Sequence, residues 1–318
     1  HYLLVNLHSK NIYLNSTNKN RIFVSNLALL FFKEYIMESI VITGVSTGIG
    51  YATTKVLIAK GYQIFGSVRN ENDAKKLKED FGKKFIPLLF DVTDEKAIIN
   101  ASEQVKETLG ENEIITGLVN NAGIGLGGPL LELPTAVFRK QFEVNVLGVI
   151  SVTRAFSKLL GCNNKSQSKG KIIMMSSVSG KRAFPFLAPY TASKHALEGL
   201  SDSLRRELLM YGVDVIVIEP GPIKTPIWEK TPDMNDSPFK GSDYESSLKR
   251  FYSYFKKKGK RGLEADVIGN LILRILNNPN PKTRYVVTQG RFSNFTLPGI
   301  LPDRYLDRKI GKGFGIIK

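Results

Sequence analysis

Tyr190 and Lys194 are the two residues whose types and spacing best suit acid–base chemistry in this chain. Their four-residue separation places both side chains on the same face of a helix. A neighbouring ammonium favours the phenolate, so we expect Lys194 to lower a tyrosine pKa that is normally about 10. The pair would then exchange a proton with an alcohol or carbonyl oxygen near neutral pH. Because this spacing is common on helices, its meaning depends on the motifs around it.

A glycine-rich turn follows an apolar, β-branched run and predicts a strand, a tight turn and a helix. Residues 40–50 read IVITGVSTGIG. Glycines let the backbone approach a pyrophosphate, and a helix N-terminus offers free N–H groups to it. The hydroxyls of Ser46 and Thr47 can add hydrogen bonds. An ordinary glycine-rich turn between a strand and a helix is the alternative.

Five motifs occur in one order along the chain. They are the Gly-x-x-x-Gly-x-Gly turn, Asn120-Asn-Ala-Gly123 with Asn145, Ser177 thirteen residues before Tyr190, Tyr190-Thr-Ala-Ser-Lys194, and Pro220-Gly221. In this order and spacing, from about Glu38 to about Gln289, the chain resembles the short-chain dehydrogenase/reductase family. Within that family it is most similar to the subgroup that contains hydroxysteroid and retinol dehydrogenases.

The resemblance implies a catalytic set of Asn145, Ser177, Tyr190 and Lys194. Tyr190 would exchange the hydroxyl proton of the substrate while hydride passes to or from a nicotinamide. Ser177 would hydrogen-bond the substrate oxygen. Asn145 would hold a water that links Lys194 to solvent, and Lys194 would also bind the nicotinamide ribose. Ser176 and Ser179 are the alternative assignments for the serine.

Arg69 indicates which dinucleotide is used. It stands at the end of the second predicted strand, where NAD-preferring members carry an acid. A guanidinium suits a 2′-phosphate, so we expect NADP(H). NAD(H) stays an alternative because Glu71 or Asp73 could reach the ribose. The residues predicted to contact the cofactor are Gly44, Ser46, Thr47, Gly48, Ile49, Gly50, Arg69, Asp91, Val92, Asn120, Ala122, Gly123, Tyr190, Lys194, Pro220, Gly221, Ile223 and Thr225.

Apolar side chains near the predicted site favour a lipophilic substrate, such as a steroid, a retinoid, a fatty alcohol or an aromatic ketone. Residues 224–261 contain three prolines and an aromatic stretch, and the resemblance makes this segment a lid; a surface excursion is the alternative. Each apolar residue could instead belong to the core. The predicted pocket residues are Leu126, Phe184, Phe186, Leu187 and Trp228, with Ile227, Met234 and Phe239 as further candidates.

The apolar periodicity alternates between strands and helices, which predicts one α/β domain with a Rossmann-type, doubly wound parallel sheet of seven strands. We also expect Asn120 to bridge backbone groups of neighbouring strands and Asp94 to cap a helix. The predicted strands are 39–43, 62–67, 85–90, 115–120, 171–176, 213–219 and 283–287. The predicted helices are 48–59, 72–81, 94–109, 133–159, 189–211 and 263–277.

The composition narrows the range of partners. The net charge is +16, but the basic residues are dispersed, and the one cluster, 256–261, is typical of a solvated helix end. We expect no nucleic-acid partner, and three histidines without ligand spacing predict no metal site. The single Cys162 excludes an internal disulfide. By resemblance we expect a cytoplasmic homodimer or homotetramer, paired through 133–159 and 189–211, with weak membrane-surface association as an alternative.

The two ends of the chain are harder to interpret. Residues 1–36 show no clear pattern, and a start at Met37 would place the glycine turn where the family usually has it. We therefore expect 1–36 to be translated upstream sequence; its apolar run, 27–32, is shorter than the roughly 18 residues of a membrane span. The tail 291–318 could cover the pocket, touch a membrane or pack on the domain.

A catalytically silent dinucleotide-binding regulatory or surface-binding protein is the alternative function.

Overall fold

The computed structural model describes residues 37–110, 114–163, 169–230 and 237–318, together with two strands near the N-terminus. The chain divides into two compact units, His1–Glu38 and Ser39–Lys318. In the first unit, β1 (Tyr2–Leu7) pairs antiparallel with β2 (Lys10–Asn15). The rest of the predicted leader, like the pocket candidate Met234, lies outside the described residues.

The second unit is built on a seven-stranded sheet in which every neighbouring pair is parallel. The strand order is β5-β4-β3-β6-β7-β8-β9, so the chain winds outward from β3 in both directions. This confirms the predicted doubly wound, Rossmann-type fold, with strand ends within two residues of the prediction. The strands are β3 (Ser39–Ile42), β4 (Gln63–Val68), β5 (Phe85–Leu89), β6 (Gly117–Asn120), β7 (Lys171–Met175), β8 (Asp214–Pro220) and β9 (Arg284–Val287).

Helices cover both faces of the sheet. Successive side chains of a strand point to opposite faces, so Ile40 and Ile42 enter one core and Val41 enters the other. The first core is closed by α1, α2 and α8, and the second by α3, α5 and α6. The helices are α1 (Gly48–Ala59), α2 (Glu71–Phe81), α3 (Glu95–Leu109), α4 (Thr135–Phe142), α5 (Gly148–Phe156), α6 (Ala188–Glu207), α7 (Glu245–Lys260), α8 (Asp266–Leu276), α9 (Leu297–Ile300) and α10 (Asp303–Phe314).

Two parts of the helical prediction differ from the structure. The segment predicted as one helix over 133–159 is divided into α4 and α5 by a π-helical turn, Glu143–Leu147. Helix α7 is absent from the predicted helices, because its aromatic stretch is interpreted above only as part of a lid. Its inward residues Leu248, Phe251 and Phe255 follow helical spacing, which is the signal that could have found it.

The tail also forms helices that the sequence prediction missed. Pro298 lies in the first turn of α9, and Pro302 is the N-cap of α10. Proline is favoured at helix starts because the N–H it lacks would be unpaired there. The expected cap at Asp94 is confirmed, since its carboxylate accepts a hydrogen bond from the Ala97 N–H at 3.0 Å.

Replacing Phe65 by alanine is expected to lower the free energy of unfolding by about 3–5 kcal/mol, because the ring is fully buried between β4 and the α3–α5–α6 layer. Leu209→Ala is the matched control: this side chain is 73% exposed, so its loss is expected to change stability by less than about 0.5 kcal/mol. Urea unfolding measures both. Equal losses in the two variants would contradict the assigned core.

Candidate active site

Helix α6 brings Tyr190 and Lys194 to the carboxyl end of β7. The Lys194 ammonium is buried and donates a hydrogen bond to the Met175 carbonyl at 2.7 Å. It lies 5.8 Å from the centroid of the Tyr190 ring, so the two side chains share one face as the spacing predicts. Burial lowers the pKa of Lys194 to about 8, while the Glu198 carboxylate one turn further along raises it.

The electrostatics at Tyr190 differ from the sequence prediction. Burial of the phenol raises the pKa of Tyr190, and its hydrogen bond with Ser177 only partly opposes that effect. The prediction of a Tyr190 pKa below its ordinary value is therefore wrong for this arrangement, because removal from water disfavours the phenolate. The phenol is protonated at neutral pH and is ready to donate.

Ser177 follows β7 and opens a short 3₁₀ turn, Val178–Gly180. Its hydroxyl accepts a hydrogen bond from the Ser179 N–H at 3.1 Å and donates to the Pro220 carbonyl at 3.4 Å. The neighbouring Ser176 hydroxyl points elsewhere: a Cβ added to Gly180 would lie 2.7 Å from it. The structure therefore brings Ser177, and not Ser176, to the phenol.

Asn145 lies in the π-helical turn and is buried. Its side-chain oxygen accepts from the Ile124 N–H at 2.9 Å, and its amide donates to the Ile124 carbonyl at 3.0 Å and to the Ser193 hydroxyl at 3.1 Å. π-turns inside helices are frequent at functional sites. The contacts fix the loop after β6 against α6; the water link to Lys194 stays a prediction.

The turn after β3 requires its glycines. Gly44 and Gly48 have φ of 69° and 60°, a region that L side chains rarely adopt. A Cβ on Gly50 would lie 2.1 Å from the Gly44 carbonyl, so only glycine lets α1 approach the turn. The N-cap residue Thr47 makes no side-chain cap, which leaves the first N–H groups of α1 available to ligand oxygens. These features fit a pyrophosphate.

Asn121 ties this turn to β6, a role that the sequence analysis missed. Its amide donates to the Thr43 and Gly44 carbonyls at 2.9 and 3.0 Å. The expected bridging by Asn120 is wrong, because that side chain donates to the Thr153 hydroxyl and the Met174 sulfur instead. An asparagine just beyond a strand end, beside the glycine turn, is the signal that identifies Asn121.

Arg69 and Asp91 lie at the rim of the same sheet edge. The Arg69 side chain is 73% exposed, and its guanidinium lies 3.9 Å from the Asp91 carboxylate. Asp91 also accepts hydrogen bonds from the Thr93 N–H at 3.0 Å and hydroxyl at 2.8 Å. The Asp73 carboxylate accepts a hydrogen bond from the side-chain amide of Asn70, the residue that caps α2. The Arg69 guanidinium therefore remains accessible for an anion.

The loop after β8 closes the opposite side of the cleft. A Cβ on Gly48 would lie 3.3 Å from the Thr225 methyl group, so this loop reaches the glycine turn. Ile223 forms a parallel bridge with Leu263, and its carbonyl accepts from the Trp228 ring N–H at 2.6 Å. The loop that carries Pro220 and Gly221 is thus held between the sheet and α7.

An aromatic cluster includes three of the five predicted pocket residues, and two of its members, Phe186 and Leu187, directly precede α6. Phe186 has the one positive φ among non-glycine residues in the described parts, 65°, and its carbonyl accepts from the Gly128 N–H at 2.8 Å. Phe251 of α7 packs against Phe186 and against Phe314 of α10, with ring centroids 5.5 Å apart in each pair. The aromatic cluster consists of Leu133, Phe184, Phe186, Leu187, Phe239, Tyr244, Leu248, Phe251, Tyr252, Phe255, Ile310 and Phe314.

Three further pocket candidates, Leu126, Ile227 and Trp228, lie outside this cluster. Trp228 stacks on Phe255 with centroids 6.5 Å apart, and Ile227 is half exposed. Leu126 is positioned through its backbone N–H, which donates to the Gln141 side chain at 2.7 Å. The tail 291–318, whose place the sequence left open, packs on α7 through Phe314.

Asn121→Ala is expected to lower the free energy of unfolding by about 1–3 kcal/mol, because two strand-end carbonyls lose their donor. The affinity for NADPH is expected to fall as well, since the glycine turn loses its hydrogen bonds to the segment after β6. Asn270→Ala, which removes an exposed amide from α8, is the control. Urea unfolding and fluorescence titration check both effects, and wild-type behaviour of Asn121→Ala would contradict the assigned role.

Comparison with known proteins agrees with this geometry. The profile of the family described as short chain dehydrogenase matches residues 38–236. An NADPH-dependent 3-dehydrocapnine reductase of Ornithobacterium rhinotracheale is 39% identical over 272 residues, covering 86% of this chain and 95% of that protein. The 17-beta-hydroxysteroid dehydrogenase type 6 of Bos taurus is 31% identical, covering 77% of this chain and 78% of that protein.

The fold is also shared with solved structures. The crystal structure of a short chain dehydrogenase from Burkholderia cenocepacia in complex with NADP superposes with a TM-score of 0.64. It is 23% identical and covers 86% of this chain and 97% of its own. The matching profile, the curated relatives and the seven-stranded parallel sheet together show that this chain belongs to the short-chain dehydrogenase/reductase family of oxidoreductases, which act on alcohol and carbonyl groups.

Proposed function

We propose that this chain is an NADP(H)-dependent oxidoreductase that interconverts a lipophilic ketone or aldehyde and its alcohol. The observation that carries the proposal is the meeting of Tyr190, Ser177 and Lys194 at the carboxyl end of β7, beside a turn shaped for a pyrophosphate. Ligands of doubly wound sheets bind at this edge. The intact set argues against the catalytically silent alternative.

The chain's own residues account for the proton transfer. When bound, the dinucleotide supplies or accepts the hydride. In reduction, the protonated Tyr190 donates its proton to the carbonyl oxygen, and Ser177 donates a hydrogen bond to that oxygen as negative charge develops. The Lys194 ammonium stabilises the phenolate that remains. Oxidation reverses these transfers, with Tyr190 as the base.

Two observations support NADP(H) over NAD(H). The exposed guanidinium of Arg69 directly follows β4, and a guanidinium can bind a ribose 2′-phosphate through two hydrogen bonds. The relative that is 39% identical is named as NADPH-dependent. Its name as a reductase also supports carbonyl reduction as the direction for this chain.

The aromatic cluster supports a lipophilic substrate. Phe184 and Leu187 are only partly buried within it, and they lie three residues or more before Tyr190 on the segment that leads into α6. Aromatic and aliphatic walls near a few polar groups are typical of pockets for apolar ligands. A steroid, retinoid or fatty-alcohol skeleton with a single oxygen near Tyr190 fits this description.

Assembly and location stay predictions. A homodimer or homotetramer paired through α4, α5 and α6 is proposed from the family resemblance. Weak association with a membrane surface is a further proposal. Within the described ranges, the structure contains no helix that is both long and apolar enough to cross a membrane.

Tyr190→Phe is expected to lower kcat for NADPH-dependent reduction of a lipophilic ketone by about 10²–10⁴-fold, because the proton donor is lost. Binding of NADPH is expected to persist, since the ring remains. Tyr305→Phe, which removes an exposed hydroxyl on α10, is the control. Steady-state kinetics with a panel of steroid, retinoid and fatty carbonyls measures the effect; full activity of Tyr190→Phe would refute the assigned proton donor.

Arg69→Ala is expected to weaken NADPH binding by roughly tenfold or more, about 1.4 kcal/mol, and to leave NADH binding unchanged. The reason is that only NADPH carries the phosphate that the guanidinium would bind. Arg206→Ala removes an equal charge at the far end of α6 and controls for the overall field. Fluorescence titration with both dinucleotides measures the two affinities. An equal loss of affinity for NADPH and NADH would contradict the phosphate contact.

A further inference from the structure

Helices α7 and α10 carry much of the excess positive charge of the chain. Residues 245–261 and 303–318 contain twelve basic and three acidic residues, a net charge of +9 out of the +16 of the whole chain. The two segments are distant in the sequence, but the helices pack together, with the ring centroids of Tyr254 and Phe314 5.4 Å apart. Basic residues that look dispersed along the sequence are therefore concentrated in one region of the fold.

Helix α10 is amphipathic, with a basic outer face. Ile310 and Phe314 pack into the aromatic cluster. Arg304, Arg308 and Lys312 repeat every four residues on the opposite side of the helix, and all three are exposed. Arg304 lies in the first turn, where the positive end of a helix disfavours a cation. The stabilisation of helix ends by charge therefore does not account for this stripe.

The last two turns of α7 form a basic groove. Lys256, Lys257, Lys260 and Arg261 line it together with Ser253, and its volume is about 320 Å³. None of these four cations forms an ion pair with a residue in the described ranges. The negative end of a helix attracts cations, but four of them at one groove repel each other. Phosphate oxygens are suited to such a groove, because charge-assisted hydrogen bonds to them are strong.

Exposed apolar side chains accompany these charges. Tyr254 of α7 is 41% exposed, Tyr305 of α10 is 54% exposed, and Ile316 and Ile317 after α10 are 44% exposed each. A Cβ on Gly311 would lie 3.1 Å from Ile317 Cγ1, so this isoleucine lies against α10. Tyrosine is enriched at membrane interfaces, where apolar side chains leave water. A nucleic-acid backbone would offer the isoleucines no such environment, so the combination favours a bilayer.

We propose that the outer faces of α7 and α10 dock on a membrane that contains anionic lipids. The groove cations and the stripe of Arg304, Arg308 and Lys312, together called the basic surface, bind the headgroup phosphates, while the exposed apolar side chains enter the interfacial region. The inner faces of the same helices contribute Phe251 and Phe314 to the aromatic cluster. Docking itself is independent of catalysis, whereas its use in taking a lipophilic substrate from the bilayer rests on the proposed function.

Cosedimentation of the full chain with lipid vesicles tests the docking. The vesicles contain phosphatidylglycerol and phosphatidylcholine in equal parts, or phosphatidylcholine alone. We expect binding to the anionic vesicles only, and weaker binding as salt is added, because salt screens exposed charges. The triple variant Lys256→Gln, Lys257→Gln, Lys260→Gln should lower the partition coefficient by roughly fivefold for each cation, roughly a hundredfold in total.

A second triple variant is the matched control. Lys75→Gln, Lys76→Gln and Lys78→Gln remove the same charge from exposed positions of α2, and this variant should bind vesicles as the wild type does. Equal losses in the two triple variants would show that only the overall charge matters and would overturn the proposal. Equal binding of the wild type to anionic and neutral vesicles would overturn it as well.

The contribution of the apolar side chains is tested separately. The double variant Ile316→Ser, Ile317→Ser keeps every charge, so we expect it to bind the anionic vesicles more weakly than the wild type even at high salt. Competition with a duplex DNA oligomer then addresses the other polyanion. If the DNA displaces the chain from the vesicles and the isoleucine variant binds both as the wild type does, the surface serves nucleic acid and the membrane proposal is refuted.

An activity measurement separates this proposal from the proposed function. The groove triple variant should reduce a long-chain ketone embedded in anionic vesicles more slowly than the wild type, and a short water-soluble ketone at the wild-type rate. If the wild type reduces no ketone but binds the vesicles through the basic surface, the proposed function fails and the docking stands. If it reduces ketones but shows no preference for anionic vesicles, the docking is refuted and the function stands.

Discussion

The buried ammonium of Lys194 is the group on which the geometry of the site depends. Removing such a charge from water costs several kcal/mol unless the protein supplies partners. Here the Met175 carbonyl, 2.7 Å away, accepts a hydrogen bond from the ammonium, and the charge of the Glu198 carboxylate raises the pKa of Lys194. Because the carbonyl belongs to the end of β7, this contact sets how α6 is rotated about its axis. The rotation in turn directs Tyr190 toward Ser177, which follows the same strand.

The parallel sheet explains why so many functional groups meet at one edge. The carboxyl ends of parallel strands lie together, so the segments after β3, β6, β7 and β8 all open into one cleft. Close approach of backbone segments there requires glycine, because a side chain would occupy the space between them. Gly50 lets α1 contact the turn, and the Asn121 amide then satisfies the carbonyls that the turn leaves unpaired.

The hydrophobic wall of the cleft is assembled from segments far apart in the chain. Phe186 precedes α6, Phe251 belongs to α7 and Phe314 ends α10, yet their rings pack edge to face. The positive φ of Phe186 is a strained conformation, which the packed rings and the Gly128 contact hold in place. The tail therefore takes part in shaping the aromatic cluster.

The sequence by itself determined the fold and the family, and its motifs predict which side chains react. Apolar, β-branched runs and helical periodicity placed every strand of the sheet, and the family resemblance, with its thirteen-residue distance to Tyr190, favoured Ser177 over Ser176. Tertiary structure decided the properties that depend on surroundings. The pKa of Tyr190 is raised because the fold buries the phenol, and Asn121 rather than Asn120 faces the glycine turn because of how β6 ends beside β3. Glu198 pairs with Arg284, 86 residues away in the sequence, only because the fold brings α6 against β9. Local sequence patterns indicate which side chains are present, whereas burial and contacts between distant residues determine the pKa values and the partners of those side chains.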